Sequence, residues 1–450
     1  MGKRYPFFLL AASTMLCLLF VPEYVAYNPA TDGPLDGADI TWMLVATALV
    51  LLMTPGLAFF YGGMVNRRNV ISTMMQSFVC MGVVSVLWIM VGYSLAFGDS
   101  IGGVIGDPRT FLFFKDVTLA PKDGQTIPHL LFAFFQMKFA VITPALITGS
   151  FAERVRFRSY LLFTVLFILF IYAPLCHMTW GGGLFEEWGV LDFAGGTVVH
   201  MSAGFAALAG AFYLGKRKHV THDPANVPYV ILGTAMLWFG WFGFNAGSEL
   251  AANSNTVIAL ANTMMASAAA MIAWAFFDRM RDRKMSAVGA CIGAVVGLVA
   301  ITPAAGFVSL GESIFIGGIS AVISNLAVDF KNSTSLDDTL DVFPCHGLGG
   351  IVGMILTAIF AGASEGGLLA TGGNFGLFGA HMGALLVTGI FSFFGSLLLF
   401  KIVDALMHIR VTESQEFKGL DLSQHGESIL EPKHAQEVLE SALNLELSNS

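Results

Sequence analysis

Charge is what this sequence has least of. Lys, Arg, Asp and Glu together supply 12% of its 450 residues, about half the share of a soluble domain. With 55% hydrophobic residues, no soluble core of this length could hide the apolar surface, because area still grows steeply with mass. The solvent has to be a bilayer. Basic tracts are missing too, and the net charge is −8, which argues against nucleic acid as a partner. Cysteine is scarce: Cys17, Cys80, Cys176, Cys291 and Cys345 all lie in apolar runs, with no CxxC pair. They read as small apolar fillers rather than disulfides. No His/Cys/Glu set with ligand spacing appears, so neither a metal nor another cofactor is expected, and an intramembrane metalloenzyme is the weaker reading.

What the chain does have is long apolar runs and 50 glycines, as expected where membrane helices approach closely. The first segment, residues 1–27, reads as a cleaved signal peptide: Lys3 and Arg4 precede an apolar stretch from Phe7 to Val21, and Ala26 is one possible cleavage position. A retained first span is the alternative. The membrane domain then covers 28–407, with about eleven runs near 40–61, 71–97, 128–151, 160–179, 197–214, 229–247, 256–277, 287–305, 314–328, 342–361 and 379–407. The ninth is short for a span, which needs about 20 apolar residues.

Alternate connections are basic: Arg67 and Arg68; Arg154, Arg156 and Arg158; Lys216, Arg217 and Lys218; Arg279, Arg281, Arg283 and Lys284; then Lys331. The intervening connections at 180–196, 248–255, 306–313 and 362–378 hold no Lys or Arg, and that at 98–127 has three, offset by several Asp. The basic loops therefore face the cytoplasm, leaving the mature N-terminus outside and the polar tail, 408–450, inside. Eleven spans fit two inverted five-helix repeats plus one C-terminal helix, an all-α membrane architecture common among transport proteins. Traces of a repeat are faint: GLAFFYGG (56–63) resembles GWFGFNAG (240–247), and a buried His falls in both the fifth and the tenth run. The end of the tail, from His434, could form a short amphipathic helix.

Three histidines sit inside apolar runs: His177, His200 and His346. Ionisable groups at membrane depth are costly and usually face a cavity or each other. Two neutral imidazoles sharing a proton can line an apolar pore without holding a fixed charge. Aromatic residues crowd Phe134-Phe135-Gln136-Met-Lys-Phe139, Trp180-Gly-Gly-Gly, and the segment from Trp238 through Trp241 and Phe244 to Ser248. Ring faces with a hydroxyl acceptor can hold a small cation at about 0.5–2 kcal/mol per ring; the plainer alternative is an interfacial aromatic belt. Asp192 precedes Gly-Gly and a span, so it is either a helix N-cap or an attractor of cations. Lys138 is anomalous, well inside the third span; snorkelling, or pairing with a carboxylate such as Glu249, is the plain expectation.

Taken together these segments resemble the Amt/Mep/Rh ammonium transporters, in particular the prokaryotic Amt branch. The most specific piece is DFAGGTVVHMSAGFAALAG (192–210), ending in Gly215-Lys-Arg217; TPGLAFFYGG (54–63), FAERVRF (151–157), GWFGFNAGS (240–248) and DVFPCHGLGGIVG (341–353) follow the same order. The resemblance implies a non-enzymatic transporter in the plasma (inner) membrane of a prokaryote, a homotrimer surrounded by membrane lipid, with ammonium/ammonia as substrate and methylammonium as analogue. It implies an external recruitment site at Trp180 and Ser248 with Phe135 nearby and Asp192 beneath, a gate of Phe139 and Phe244, and a pore lined by His200, His346 and Trp241. Ammonia then passes with or without separate proton transfer. The alternative is an ammonium sensor signalling through the tail. Gly419-Leu-Asp421 and His425-Gly-Glu427 also match the family, in which a trimeric PII-class nitrogen regulator docks on the cytoplasmic face. Glu416-Phe-Lys418 replaces the usual acidic run there, and Lys138 stands where an uncharged residue is expected.

Overall fold

Apolar runs of this length must satisfy every backbone group internally, and helices do so. The computed structural model describes residues 5–23, 26–122, 124–220, 223–430 and 441. The basic start of the signal segment and the amphipathic stretch after His434 lie outside the described residues. Helix α1 spans Tyr5–Phe20. The apolar helices that follow are α2 (Gly37–Met64), α3 (Val70–Phe97), α4 (His129–Phe151), α5 (Phe157–Glu187), α6 (Gly196–Leu214), α7 (Val227–Glu249), α8 (Ser254–Met280), α9 (Ala287–Ile301), α10 (Leu310–Asn332), α11 (Phe343–Phe360) and α12 (Gly376–Met407). Ten of these are long and apolar enough to cross a bilayer; α9 is shorter. A two-stranded hairpin, Ser100–Ile101 with Ile105–Gly106, sits in the α3–α4 connection.

The short element is thus the eighth run, not the ninth. Pro303 has no N–H to continue α9, so the helix stops at Ile301, with Thr302 still in the helical region as its cap. In α10 the apolar core is short but polar residues extend it. Ser309 and Glu312 form a reciprocal capping box at its start, and Asp329 to Asn332 continue it at the far end.

Contacts between loops sort the connections to two ends. The Asn66 N–H donates to the Glu153 carboxylate, Arg217 pairs with Glu153 and Asp337 at 2.9 Å each, and the Ala225 N–H reaches the Val65 carbonyl. Those basic loops share one end of the bundle. Residues from the 98–128 connection, the Trp180–Phe193 stretch, Ser248 and Phe307 surround one cavity at the other end. Two helices that approach from different parts of the chain, α6 and α11, cross where side chains would not fit. A Cβ on Gly204 would lie 2.3 Å from the Gly347 backbone, so only glycine permits the contact.

Candidate functional site

The cavity at the end opposite the basic loops has a volume of about 370 Å³. Its lining includes Trp180, Asp192, Ser248, Gln136, Lys122 and Phe139. Trp180 ends the long part of α5, where Gly181 to Gly183 break the helix, and its indole N–H donates to the Asp192 carbonyl at 2.9 Å. The Asp192 carboxylate accepts the N–H groups of Gly195, Gly196 and Thr197 at 2.8, 2.6 and 2.7 Å. It therefore caps α6 from four residues ahead while its backbone fixes Trp180, joining the cavity wall to the helix that carries His200. The Ser248 hydroxyl donates to the Phe244 carbonyl at 2.9 Å, which leaves its oxygen lone pairs as acceptors towards the cavity.

Phe139 floors this cavity and Phe244 roofs the next. Their ring centroids are 4.2 Å apart and tilted by 31°, so the pair is the partition between the two. Below it, Ile142, Val199, Leu237 and Val295 enclose a passage together with Trp241, His200 and His346. The passage offers only about 10 Å³ to the centres of water-sized molecules, about the least that holds one water.

The two imidazoles meet inside it. His200 Nδ1 lies 3.4 Å from His346 Nδ1, and His200 stacks on Trp241 at 5.4 Å and 22°. Both histidines lie in π-helical turns, Gly196–Met201 and Phe343–Gly347, a local widening that recurs at functional sites. Thr302, the residue at which α9 stops, touches both rings of the stack. Its hydroxyl donates to the Leu298 carbonyl at 2.8 Å and accepts the Trp241 indole N–H at 2.9 Å. With its proton so committed, it can only accept from His200 Nε2 at 3.3 Å. His200 Nδ1 is then the acceptor, and His346 Nδ1–H the donor, of the contact between the rings.

The remaining candidates fall elsewhere. His177 is buried, but its ring nitrogens go to the Ala96 carbonyl and the Ser100 hydroxyl, 3.1 and 2.9 Å away. It ties α5 to the hairpin, outside the passage. Phe135 stands behind Phe139, 5.0 Å from it, rather than on the cavity surface. Glu249 accepts from Asn253 and Asn255 at 2.8 and 2.7 Å, not from Lys138. Among the described residues no three His, Cys, Asp or Glu could hold a metal. Gln136, Lys122 and Thr302 escaped sequence reasoning. Gln136 stands in the aromatic segment, and its buried Oε1 has no hydrogen-bond donor; Thr302 gave no signal beyond the Pro303 beside it.

The profile of the Ammonium Transporter Family matches residues 41–429. The chain belongs to the Ammonium Transporter Family. It is similar to an ammonium transporter of Aquifex aeolicus (strain VF5), 45% identical over 90% of this chain and 96% of that protein. An ammonium transporter of Bacillus subtilis (strain 168) is 45% identical over 86% and 97%. Among solved structures, the crystal structure of Saccharomyces cerevisiae Mep2 gives a TM-score of 0.80 at 32% identity, covering 87% of this chain and 91% of that one.

At the opposite end from the vestibule, this family member folds its tail back over the loops. Helix α13 (Glu413–Lys418) is capped by Thr412. The Glu416 carboxylate accepts the backbone N–H groups of Lys218 and His219 and pairs with Arg410. Arg68 donates to the Phe417 carbonyl at 2.9 Å, and the Asp421 carboxylate accepts the Ser72 N–H at 2.7 Å in the first turn of α3. Gly419 has φ +89° and packs on Arg68 so closely that a Cβ would lie 2.4 Å from its side chain. The single Glu416 that survives from the expected acidic run is thus fully engaged within the chain.

Proposed function

We propose that this chain is an ammonium transporter that recruits NH₄⁺ in the vestibule, strips its charge at the phenylalanine partition and passes NH₃ beside the paired imidazoles. The observation that carries this reading is the sequence of environments along one line: a polar vestibule, a stacked ring pair, and an apolar passage one water wide with two touching histidines.

In the vestibule, the Trp180 ring face and the Ser248 and Gln136 oxygens replace part of the ion's hydration, each ring contributing about 0.5–2 kcal/mol. Asp192 acts by fixing Trp180 and the start of α6. Below the partition there is no comparable substitute for water. Burying an isolated ion in such surroundings costs on the order of tens of kcal/mol in the ideal limit, whereas neutral ammonia meets only the loss of a few hydrogen bonds. NH₄⁺ therefore gives up its proton to water on the vestibule side of Phe139 and Phe244, and Trp241 and Thr302 hold His200 so that the imidazole pair can donate to and accept from NH₃ in transit. The family relatives that this chain spans almost end to end carry transporter names, which favours transport over the sensor reading.

The same reading includes eleven spans, with α9 as the short one, arranged as two inverted repeats (α2–α6 and α7–α11) followed by α12. Supporting it, the first helices of the two halves cross through glycine, Gly56 against Met236 and Gly233 against Phe60, and the last helices of both halves supply the histidines. It also includes a cleaved signal at 1–27, basic loops and tail in the cytoplasm of a prokaryote, a homotrimer, and a PII-class regulator at the cytoplasmic face. Uptake of labelled methylammonium by proteoliposomes tests the transport claim. His200→Ala and Phe244→Ala should each change the flux at least about fivefold, roughly 1 kcal/mol on a barrier; flux unchanged in both would remove the assigned path.

A further inference from the structure

The vestibule already holds an ammonium group of the chain's own. Lys122, from the connection between α3 and α4, lines the same cavity as Trp180, Gln136 and Ser248. Its Nζ lies 5.0 Å from the centroid of the Phe97 ring and 4.8 Å from that of Phe132, both within the ~6 Å over which a ring face attracts a cation. The two rings are 5.1 Å apart and meet at 80°, so they form two walls of a corner that the cation occupies. A lysine side chain ends in an alkylated form of NH₄⁺. It is held here by the same ring chemistry that can recruit the free ion.

The backbone fixes this placement. The His129 N–H donates to the Ala120 carbonyl at 2.8 Å and the Leu130 N–H to the Thr118 carbonyl at 3.0 Å, folding the segment before α4 back along its first turn. The Gln125 N–H donates to the Lys122 carbonyl at 2.9 Å, and the Asp36 N–H reaches the Thr126 carbonyl at 2.9 Å. Lys122 thus stems from a turn tied both to α4 and to the start of α2, which keeps its charge at the cavity wall. Of the carboxylates that line the cavity, Asp192 is committed to the N–H groups of α6. Glu186, at the exposed rim, accepts the Gly182 N–H at 2.8 Å.

We propose that Lys122 is a tethered competitor of the substrate, an ammonium built into the vestibule whose charge weakens NH₄⁺ binding at Trp180 and Ser248 and so sets the affinity of recruitment. The inference rests on the vestibule being the recruitment site. A cavity of about 370 Å³ brings a bound ion and the lysine within about one Debye length, ~8 Å at physiological salt. Their repulsion is therefore only partly screened, and it grows as ionic strength falls. The protein walls strengthen it further, because the effective dielectric there lies below that of bulk water. A weaker vestibule site also serves transfer: tight binding of the intact ion would deepen the well it must leave before shedding its proton.

The KM for methylammonium uptake by proteoliposomes, measured at low and at high sodium chloride, tests this. Lys122→Met keeps most of the apolar stem and should lower KM about fivefold at low salt, equivalent to about 1 kcal/mol. Lys122→Glu should lower it further. Lys122→Arg, which keeps the charge and suits ring faces, should stay within about twofold of the wild type. The gain in Lys122→Met should shrink at high salt, a dependence that mere loosening of the α3–α4 turn would not produce. A KM in Lys122→Met equal to or above that of the wild type, or a gain that salt leaves unchanged, would overturn the proposal. An unchanged KM in both Trp180→Leu and Ser248→Ala would overturn the recruitment reading and the proposal with it. A raised KM in those two variants beside no effect of Lys122→Met would overturn the proposal alone.

Discussion

Thr302 holds two rings of the passage with one oxygen, accepting from the Trp241 indole and from His200 Nε2 while its own proton goes to Leu298. Thr302→Val keeps the shape and removes the shared acceptor, leaving two buried donors unpaired at about 1–3 kcal/mol each. Thermal unfolding of the purified protein should fall accordingly, methylammonium flux should drop with it, and Thr302→Ser should restore both. A stable Val variant with wild-type flux would show that His200 needs no such anchor. Gly204 is the other residue on which the imidazole contact depends. Gly204→Ala forces a Cβ against the Gly347 backbone, next to His346, and should cost about 1–3 kcal/mol, read as a lower melting temperature. His200, His346, Trp180 and Phe244 were legible in the sequence because polar or aromatic residues at unusual depth stand out against an apolar background. Thr302 and Gln136 were not, since a threonine after a helix and a glutamine in an aromatic run look ordinary until their partners are known. His177 shows the converse: depth alone marks it, yet two local acceptors and donors satisfy it.

Among the elements, the tail depends most on its surroundings. Burial pushes the Asp421 carboxyl up to about 6, against the opposing pull of the N–H groups of Ser72, Ile71 and Val70. An acid with a raised value favours its docked position when protonated, so the docked tail gains as pH falls from about 7 to about 4 and gains nothing further above 7. Docking should be about tenfold more favoured at pH 5 than at pH 8, measured as slower hydrogen exchange of the 419–425 amides. His425, held below its ordinary value by burial, works in the opposite sense, so the difference between wild type and Asp421→Asn isolates the effect. A wild-type profile matching that of the Asn variant would refute it.

The FAERVRF segment makes a second prediction. Arg154 is fully buried, pushed down to about 10 by desolvation and so still charged near neutrality, and it donates to the Ser150 and Asp337 carbonyls and the Thr339 hydroxyl. Arg154→Met should destabilise by about 3 kcal/mol; an unchanged melting temperature would count against that network. That this loop mattered was readable from the motif. The extents of α9 and α10 were not, because a hydropathy run ignores Pro303 and the polar caps of Ser309 and Glu312.

For the molecule as a whole, order along the chain carried most of the architecture. Alternation between loops rich and poor in Lys and Arg sorted the connections to two ends, and the contacts among Asn66, Glu153, Arg217 and Asp337 put the basic ones together. What the alternation could not supply is the register at which α6 and α11 meet, since that is fixed by backbone contact at Gly204 and Gly347 rather than by hydropathy. The central physical claim concerns charge: the passage admits what can shed a proton and refuses what cannot. Potassium tests it most directly, being a monovalent cation with no proton to lose. In proteoliposomes under equal gradients, ammonium should cross at least about 100-fold faster than potassium, a barrier difference of about 2.7 kcal/mol. Potassium crossing at a comparable rate would mean that an intact ion fits between Phe139 and Phe244, and the account would be wrong.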